Sequence, residues 1–170
     1  MINDILMMEG NPKSWEEAIK TAYEALYSKH FVKETFLQGC IEREKIYPTG
    51  LMTEVPVAIP HTDSIHVITP AICVLRLQSP VLFHNMETPE TVVPAQFVFC
   101  MALKSGDDQV DMLRAILNTA QNKDFLEKAK SEPLNVVRDK LLQKWEIEEG
   151  IKNCVNQNQP INRQEVNSYV

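Results

Sequence analysis

The sequence predicts an α/β fold, in which one mixed β-sheet is flanked by helices in a single domain. Apolar residues recur at helical spacing near both ends of the chain, and segments rich in β-branched and aromatic residues cluster between them. Helices on either side of a block of strands are typical of a sheet covered by helices. With 170 residues, of which 44% are apolar, the chain can bury an ordinary core without disulfides or metals. We therefore predict one domain over residues 1–150.

Two helices are predicted in the first third of the chain. Residues 14–17 form a capping box, in which the hydroxyl of Ser14 accepts from the backbone three residues on while Glu17 reaches back. Apolar residues then recur at helical spacing to about residue 29, and again over residues 33–45. Pro48 and Gly50 break this pattern and predict a turn.

The centre of the chain is predicted to form the sheet. Strands are predicted over residues 55–59, 71–77, 81–83 and 95–102, which are bounded by Pro, Ser and Thr. The last of these segments is almost continuously apolar, which indicates a strand buried on both faces at the centre of a sheet.

Three further helices are predicted after the strands. The first is capped by Asp107 and Asp108 and extends to about residue 121, the second begins at Asp124, and the third has Pro133 in its first turn and reaches about residue 146. Residues 151–170 are polar and rich in amides, so we expect a peripheral tail that cannot bury enough surface to become ordered.

Composition excludes several classes of function. The formal net charge is −6 and the basic residues are scattered, so a nucleic-acid-binding surface is not expected. Four widely spaced cysteines and an N-terminus without signal-peptide features indicate the reducing cytoplasm. No apolar run approaches the roughly 20 residues of a membrane helix, so a membrane would be reached only through a partner.

The sequence also lacks the motifs of several common enzymes. There is no G-x-S-x-G elbow, no phosphate-binding G-x-x-x-x-G-K-[ST] loop and no G-x-G-x-x-G turn, so hydrolase, NTPase and dinucleotide-binding functions are not predicted. His61 and His66 lack the i, i+4 spacing and the neighbouring ligands of a zinc site. We expect neither a metal nor an organic cofactor.

Arg43, Thr49 and His61 together suit the handling of a phosphoryl group. A neutral imidazole at the end of an apolar strand can accept the group, and a guanidinium can hold its oxygens in a fixed fork. From spacing alone, simpler explanations stay open: His61 as a structural or surface residue, Arg43 paired with a neighbouring glutamate, and Thr49 as a turn-forming hydroxyl.

The order of these residues resembles a known family. R-E-x-x-x-P-T-G at residues 43–50, followed by A-I-P-H at residues 58–61, is similar to the EIIA domain of the fructose/mannitol class of the bacterial phosphoenolpyruvate:sugar phosphotransferase system. The resemblance extends from about residue 15 to about residue 145 and implies the same mixed sheet covered by helices. It also implies that His61 carries the phosphoryl group and that Arg43 lies beside it.

One position departs from the wider family. Mannitol-type and fructose-type members carry a second histidine at the start of the helix after the long central strand, where this chain has Gln109. A glutamine cannot act as an acid or base, but its amide can donate to a phosphate oxygen or to the His61 ring. Gln109, together with His66 shortly after His61, resembles the galactitol-type branch. Whether His66 assists His61 depends on the turn between them.

The resemblance implies a carrier function. The carrier protein HPr would donate the phosphoryl group to His61, and a cysteine of an EIIB component would receive it, while the membrane component EIIC would select the sugar or polyol. Since two proteins must reach His61 in turn, we expect a shallow apolar rim formed by Val55, Pro56, Ile65 and Val67. Two alternatives stay open: a regulatory module phosphorylated at the same site, and an interaction domain that has lost the chemistry.

Overall fold

The computed structural model describes residues 4–104 and 106–156, with the side chains of residues 4–104 and 110–145. These ranges hold five strands and five α-helices. In chain order they are β1 (Asp4–Gly10), α1 (Trp15–Ser28), α2 (Phe36–Ile46), β2 (Gly50–Leu51), β3 (Val57–Ala58), a 3₁₀ turn (Ser64–His66), β4 (Ala71–His84), β5 (Val92–Ala102), α3 (Gly106–Ala120), α4 (Lys123–Ala129) and α5 (Leu134–Asn156).

The strands form one mixed sheet in the order β1-β4-β5-β3-β2. β4 and β5 pair antiparallel at its centre, β1 adds parallel to β4, and β3 adds parallel to β5. The short β2 closes the far edge, antiparallel to β3. This arrangement confirms the predicted mixed sheet flanked by helices.

Helices cover both faces of the sheet, which explains why β5 is apolar along most of its length. Successive side chains of a strand point to opposite faces. Phe97, Phe99 and Met101 pack on one side with α3, α4 and α5, whereas Val98 and Cys100 pack on the other with α1 and α2. The burial of both faces, predicted from the sequence, is confirmed.

Several boundaries differ from the predictions. β1 was not predicted, because a short run of Ile, Leu and Met carries no period of its own and becomes a strand by pairing with β4. Residues 71–77 and 81–83 belong to one strand, β4, whose register shifts between Arg76 and Val81. The predicted strand over residues 55–59 is shorter, and α2 begins three residues later than predicted.

The last helix is longer than predicted. α5 ends at Asn156, about ten residues beyond the predicted end, and therefore includes the first residues of the predicted tail. A helix that is already nucleated adds one hydrogen bond per residue, so it can continue without an apolar face. The remainder of that segment lies outside the described residues. None of the helices in the described ranges is both long and apolar enough to cross a bilayer.

The capping serine of α1 provides a test of the local signals. The Ser14 hydroxyl accepts from the Glu17 N–H at 3.2 Å, while the Glu17 carboxylate accepts from the N–H of Lys13 rather than that of Ser14. We expect Ser14→Ala to lower the free energy of unfolding by about 1 kcal/mol, because one N-terminal donor of α1 loses its acceptor. Urea denaturation measures this loss. Ser131→Ala, at an exposed turn position, is the control and should change it by less than about 0.5 kcal/mol.

Candidate functional site

His61 lies just beyond β3, where the chain continues alongside β5. The Pro60 carbonyl accepts from the Met101 N–H at 3.0 Å, and His61 forms a parallel bridge with Met101. Pro60 fixes its own φ and favours an extended conformation at Ile59. These constraints deliver the half-buried imidazole of His61 at a defined place beside the C-terminal part of β5.

The His61 ring is held in one tautomer. Its Nδ1 lies 2.8 Å from the carbonyl oxygen of Ile59. Because a carbonyl oxygen only accepts, Nδ1 must carry the proton, and the neutral ring presents its lone pair on Nε2. Burial lowers the pKa of His61; the bond to Ile59 opposes this effect, and the charge of Arg43 adds to it. The site therefore favours a neutral imidazole with a free Nε2.

α2 approaches the segment after His61 through one stripe of residues. Thr35, Gly39 and Arg43 are spaced four apart and so lie on one face of the helix. A Cβ added at Gly39 would lie 2.7 Å from Oγ1 of Thr62 and 3.0 Å from the His66 ring. The glycine therefore permits a close approach, which brings Arg43 near enough to His61 for its charge to act on the ring.

Arg43 is poised at the edge of this site. Its guanidinium carbon lies 5.5 Å from the ring centroid of Tyr47, which is itself 63% exposed. Its Nε is buried and lacks a hydrogen-bond partner. A buried donor left without an acceptor costs about 1–3 kcal/mol, so the free protein keeps Arg43 in a position that its own contacts do not fully satisfy.

Thr49 is buried behind the strand that carries His61. Its hydroxyl donates to Glu44, with Oε2 at 2.9 Å, and its N–H donates to Glu44 Oε1 at 2.8 Å. Its Oγ1 also lies 3.2 Å from the N–H of Ile59, which donates to it. Since the single hydroxyl proton is directed at Glu44, the structure favours the alternative in which Thr49 holds the turn over direct donation to a phosphoryl group.

Glu44 is the residue that sequence reasoning missed. It is only 6% exposed, and burial raises its pKa to about 7 against the opposing effects of its bonds to Thr49 and of the Arg43 charge. A signal was available in the sequence. Phe36 and Cys40 mark the buried side of α2, and Glu44 continues their four-residue spacing.

The other predicted site residues are distributed more widely. His66 lies in the 3₁₀ turn, with Nδ1 2.8 Å from the Thr35 hydroxyl, and its carbonyl accepts from the Lys33 N–H. This ties the loop to the start of α2, while direct assistance to His61 stays a prediction. The side chain of Gln109 lies outside the described residues.

The predicted rim is largely wrong. Val55, Pro56 and Val67 are buried, and Val55 and Val67 belong to the cores on the two sides of the sheet. Ile65 is 67% exposed, as expected, and Tyr47 is a second exposed apolar side chain of this region. In the part of the chain that the structure describes, no three His, Cys, Asp or Glu residues are grouped so as to hold a metal ion.

Comparisons with known proteins agree with the resemblance found in the sequence. A family model described as "Phosphoenolpyruvate-dependent sugar phosphotransferase system, EIIA 2" matches residues 3–138. The galactitol-specific EIIA component of Escherichia coli (strain K12) is 31% identical over 103 residues, which are 60% of this chain and 68% of that protein.

Solved structures share the fold. Enzyme IIAMtl of Escherichia coli, in its complex with phosphorylated enzyme IIBMtl, has a TM-score of 0.64 at 20% identity, covering 83% of this chain and 94% of that chain. The crystal structure of IIA mannitol from Escherichia coli has a TM-score of 0.63, also at 20% identity, covering 84% and 95%.

The raised pKa of Glu44 predicts a pH-dependent stability. The ordinary carboxyl value is 4.5 and the folded value is about 7, so the folded chain binds this proton more tightly than the unfolded chain. The resulting stabilisation is complete below about pH 4.5 and is lost as the pH rises through about 7. We expect the unfolding free energy of wild type, relative to Glu44→Gln, to fall by about 2 kcal/mol between pH 5 and pH 8.

Urea denaturation at several pH values measures this difference. Glu42→Gln makes the same chemical change at an exposed position of α2 and is the matched control. A flat difference for Glu44→Gln would show that the carboxyl of Glu44 titrates normally in the folded chain.

Proposed function

Because the chain belongs to the EIIA 2 family of the phosphoenolpyruvate-dependent sugar phosphotransferase system, we propose that it is a phosphoryl carrier. It accepts a phosphoryl group on Nε2 of His61 and passes the group to a cysteine of an EIIB partner. The observation that carries this proposal is the 2.8 Å contact between His61 Nδ1 and the Ile59 carbonyl. Because this contact keeps the proton on Nδ1, the lone pair that attacks phosphorus lies on Nε2.

The transfer needs no proton movement at the attacking atom. Nε2 attacks phosphorus in line, a P–N bond forms to His61, and the P–N bond to the donor histidine breaks with its electron pair returning to that donor ring. Nδ1 keeps its proton and its bond to Ile59 throughout. Since the donor and acceptor are both imidazoles, the protein supplies position and charge stabilisation rather than an acid or base.

Arg43 supplies the charge stabilisation. The transferring group carries its negative charge on oxygens that a guanidinium can satisfy in a fixed fork. Arg43 acts on His61 electrostatically and has a buried donor without an acceptor, both of which support this role. Its charge also opposes protonation of the His61 ring, so the residue that receives the phosphoryl oxygens helps to keep the acceptor nucleophilic.

The proposed partners follow from the family and its relatives. HPr is the donor and EIIB is the acceptor, and a membrane EIIC component selects the substrate. The family relative specific for galactitol supports galactitol or a related polyol as that substrate, and the IIAMtl–IIBMtl complex on the same fold supports an EIIB partner. Exposed Tyr47 and Ile65 provide apolar surface for docking. With these partners, the proposed location of the chain is the cytoplasm.

Phosphorylation by purified partners tests the proposal. With phosphoenolpyruvate, Enzyme I and HPr, we expect wild type to gain one acid-labile phosphoryl group by intact mass, and His61→Ala to gain none. His84→Ala is a matched control, because His84 Nδ1 also lies 2.9 Å from a carbonyl oxygen, that of Pro89, but in the exposed β4–β5 hairpin. An adduct that persists in His61→Ala, or its absence from wild type, would contradict the proposal.

Arg43→Lys tests the guanidinium fork separately from the charge. We expect the single-turnover rate of transfer from phospho-HPr to fall about tenfold to a hundredfold, which corresponds to one lost charge-assisted hydrogen bond. Rapid-quench kinetics measure this rate. Arg138→Lys makes the same chemical change at an arginine of α5 that bonds β1, and should leave the rate unchanged. Equal rates for Arg43→Lys and wild type would show that transfer does not depend on hydrogen bonds from the guanidinium of Arg43.

A further inference from the structure

A chain of hydrogen bonds connects the buried carboxylate of Glu44 to the ring of His61. Glu44 accepts from both the hydroxyl and the N–H of Thr49. Thr49 in turn accepts from the N–H of Ile59, whose nitrogen lies 3.2 Å from Oγ1 of Thr49 and 3.3 Å from the carbonyl oxygen of Thr49. The carbonyl of Ile59 then accepts from Nδ1 of His61.

We propose that Glu44 and Thr49 are positioning residues for the acceptor histidine: they orient the backbone of Ile59 so that its carbonyl keeps His61 in the Nδ1–H tautomer. Calling His61 the acceptor rests on the proposed function. The positioning itself does not, since it concerns only the state of the ring in the resting protein.

The direction of each hydrogen bond follows from the groups that meet. A backbone N–H can only donate and a carbonyl oxygen can only accept, so the N–H of Ile59 donates to Thr49 and Nδ1 of His61 donates to the carbonyl of Ile59. The carboxyl of Glu44 accepts from the N–H of Thr49 and, where it is ionised, from the hydroxyl as well, while the lone pairs of Oγ1 stay available for Ile59. Glu44 therefore anchors Thr49 in the orientation from which it holds Ile59.

Ile59 is held from two sides. Thr49 receives its N–H on the side of β2, and on the other side the next residue, Pro60, is tied by its carbonyl to the Met101 N–H of β5. The carbonyl of Ile59 lies between these two anchors and cannot turn away from the ring without breaking one of them. Loss of the Thr49 hydroxyl would leave the N–H of Ile59 with only the 3.3 Å bond to the Thr49 carbonyl, so the Ile59 carbonyl could move more easily and would hold Nδ1 less tightly.

The competing explanation is that Thr49 only stabilises the turn before β2 and has no effect on His61. It predicts that loss of the Thr49 hydroxyl costs stability and leaves the His61 ring as it was. Positioning predicts a change in the ring itself. The ratio of the two neutral tautomers, read from imidazole ¹⁵N chemical shifts, separates the two explanations without any partner protein.

The test uses the full chain labelled with ¹⁵N-histidine, with His61→Ala to assign the signal. Thr49→Val removes the hydroxyl at nearly constant shape and keeps the backbone N–H. We expect it to raise the Nε2–H fraction of His61 about fivefold to tenfold, which is the effect of weakening one hydrogen bond, and to slow transfer from phospho-HPr in proportion to the Nδ1–H fraction that is lost. Thr49→Ser, which restores the hydroxyl, should restore both values.

Thr119→Val is the matched control. Thr119 is also fully buried, and its hydroxyl donates to the Ala115 carbonyl and accepts from Trp145, on the opposite face of the sheet. It should lower stability and leave the His61 spectrum unchanged. If Thr49→Val behaves in the same way, the positioning proposal is overturned.

Glu44→Ala provides a second measurement should Thr49→Val fail to fold. It removes the acceptor of both the hydroxyl and the N–H of Thr49, so Thr49 is no longer held in the orientation that receives the N–H of Ile59. The Nε2–H fraction should again rise, and an unchanged ratio would overturn the proposal. A shifted ratio in a protein whose wild type takes up no phosphoryl group would overturn the carrier function and leave the positioning intact. The two proposals therefore fail in distinguishable ways.

Discussion

The pairing of residues 57–61 with β5 is the constraint on which the site depends. Val57 and Ala58 are in register with Phe97 and Val98, and the Pro60 carbonyl extends the ladder to Met101. β5 cannot shift, because helices pack on both of its faces and any slip by one residue would exchange the two cores. His61 is therefore fixed relative to the central strand β5, and Arg43, carried by α2, lies near enough for its charge to act on the His61 ring.

Burial sets the electrostatics of the site through two opposite shifts. It lowers the pKa of His61 and raises the pKa of Glu44 to about 7, so both groups are moved toward their neutral forms. Arg43 keeps its charge, since a guanidinium does not lose its proton in proteins. Arg43 lowers and Asp63 raises the pKa of His61, so these two neighbours act on the ring directly, whatever the formal charge of −6 of the whole chain.

Local signals predicted most of the elements because they are read over a few residues. The Ser14 cap of α1, the end of α2 before Pro48 and the apolar run of β5 each have a short-range physical cause, and all three were predicted from the sequence. The predictions that were wrong depended on distant partners. β1 exists because β4 offers it an edge, and the expected rim residues Val55 and Val67 are buried because the sheet and its helices close over them.

The sequence by itself determined the fold class, the family and most of the helices, and it singled out His61 and Arg43 as candidates for the chemistry, because short motifs and periodic patterns record these features directly. Only the tertiary structure decided which ring nitrogen of His61 is free, where the Thr49 hydroxyl points and that Glu44 is buried. These properties depend on which groups meet across the sheet and α2, and hydrogen-bond direction and desolvation exist only once those groups are in contact.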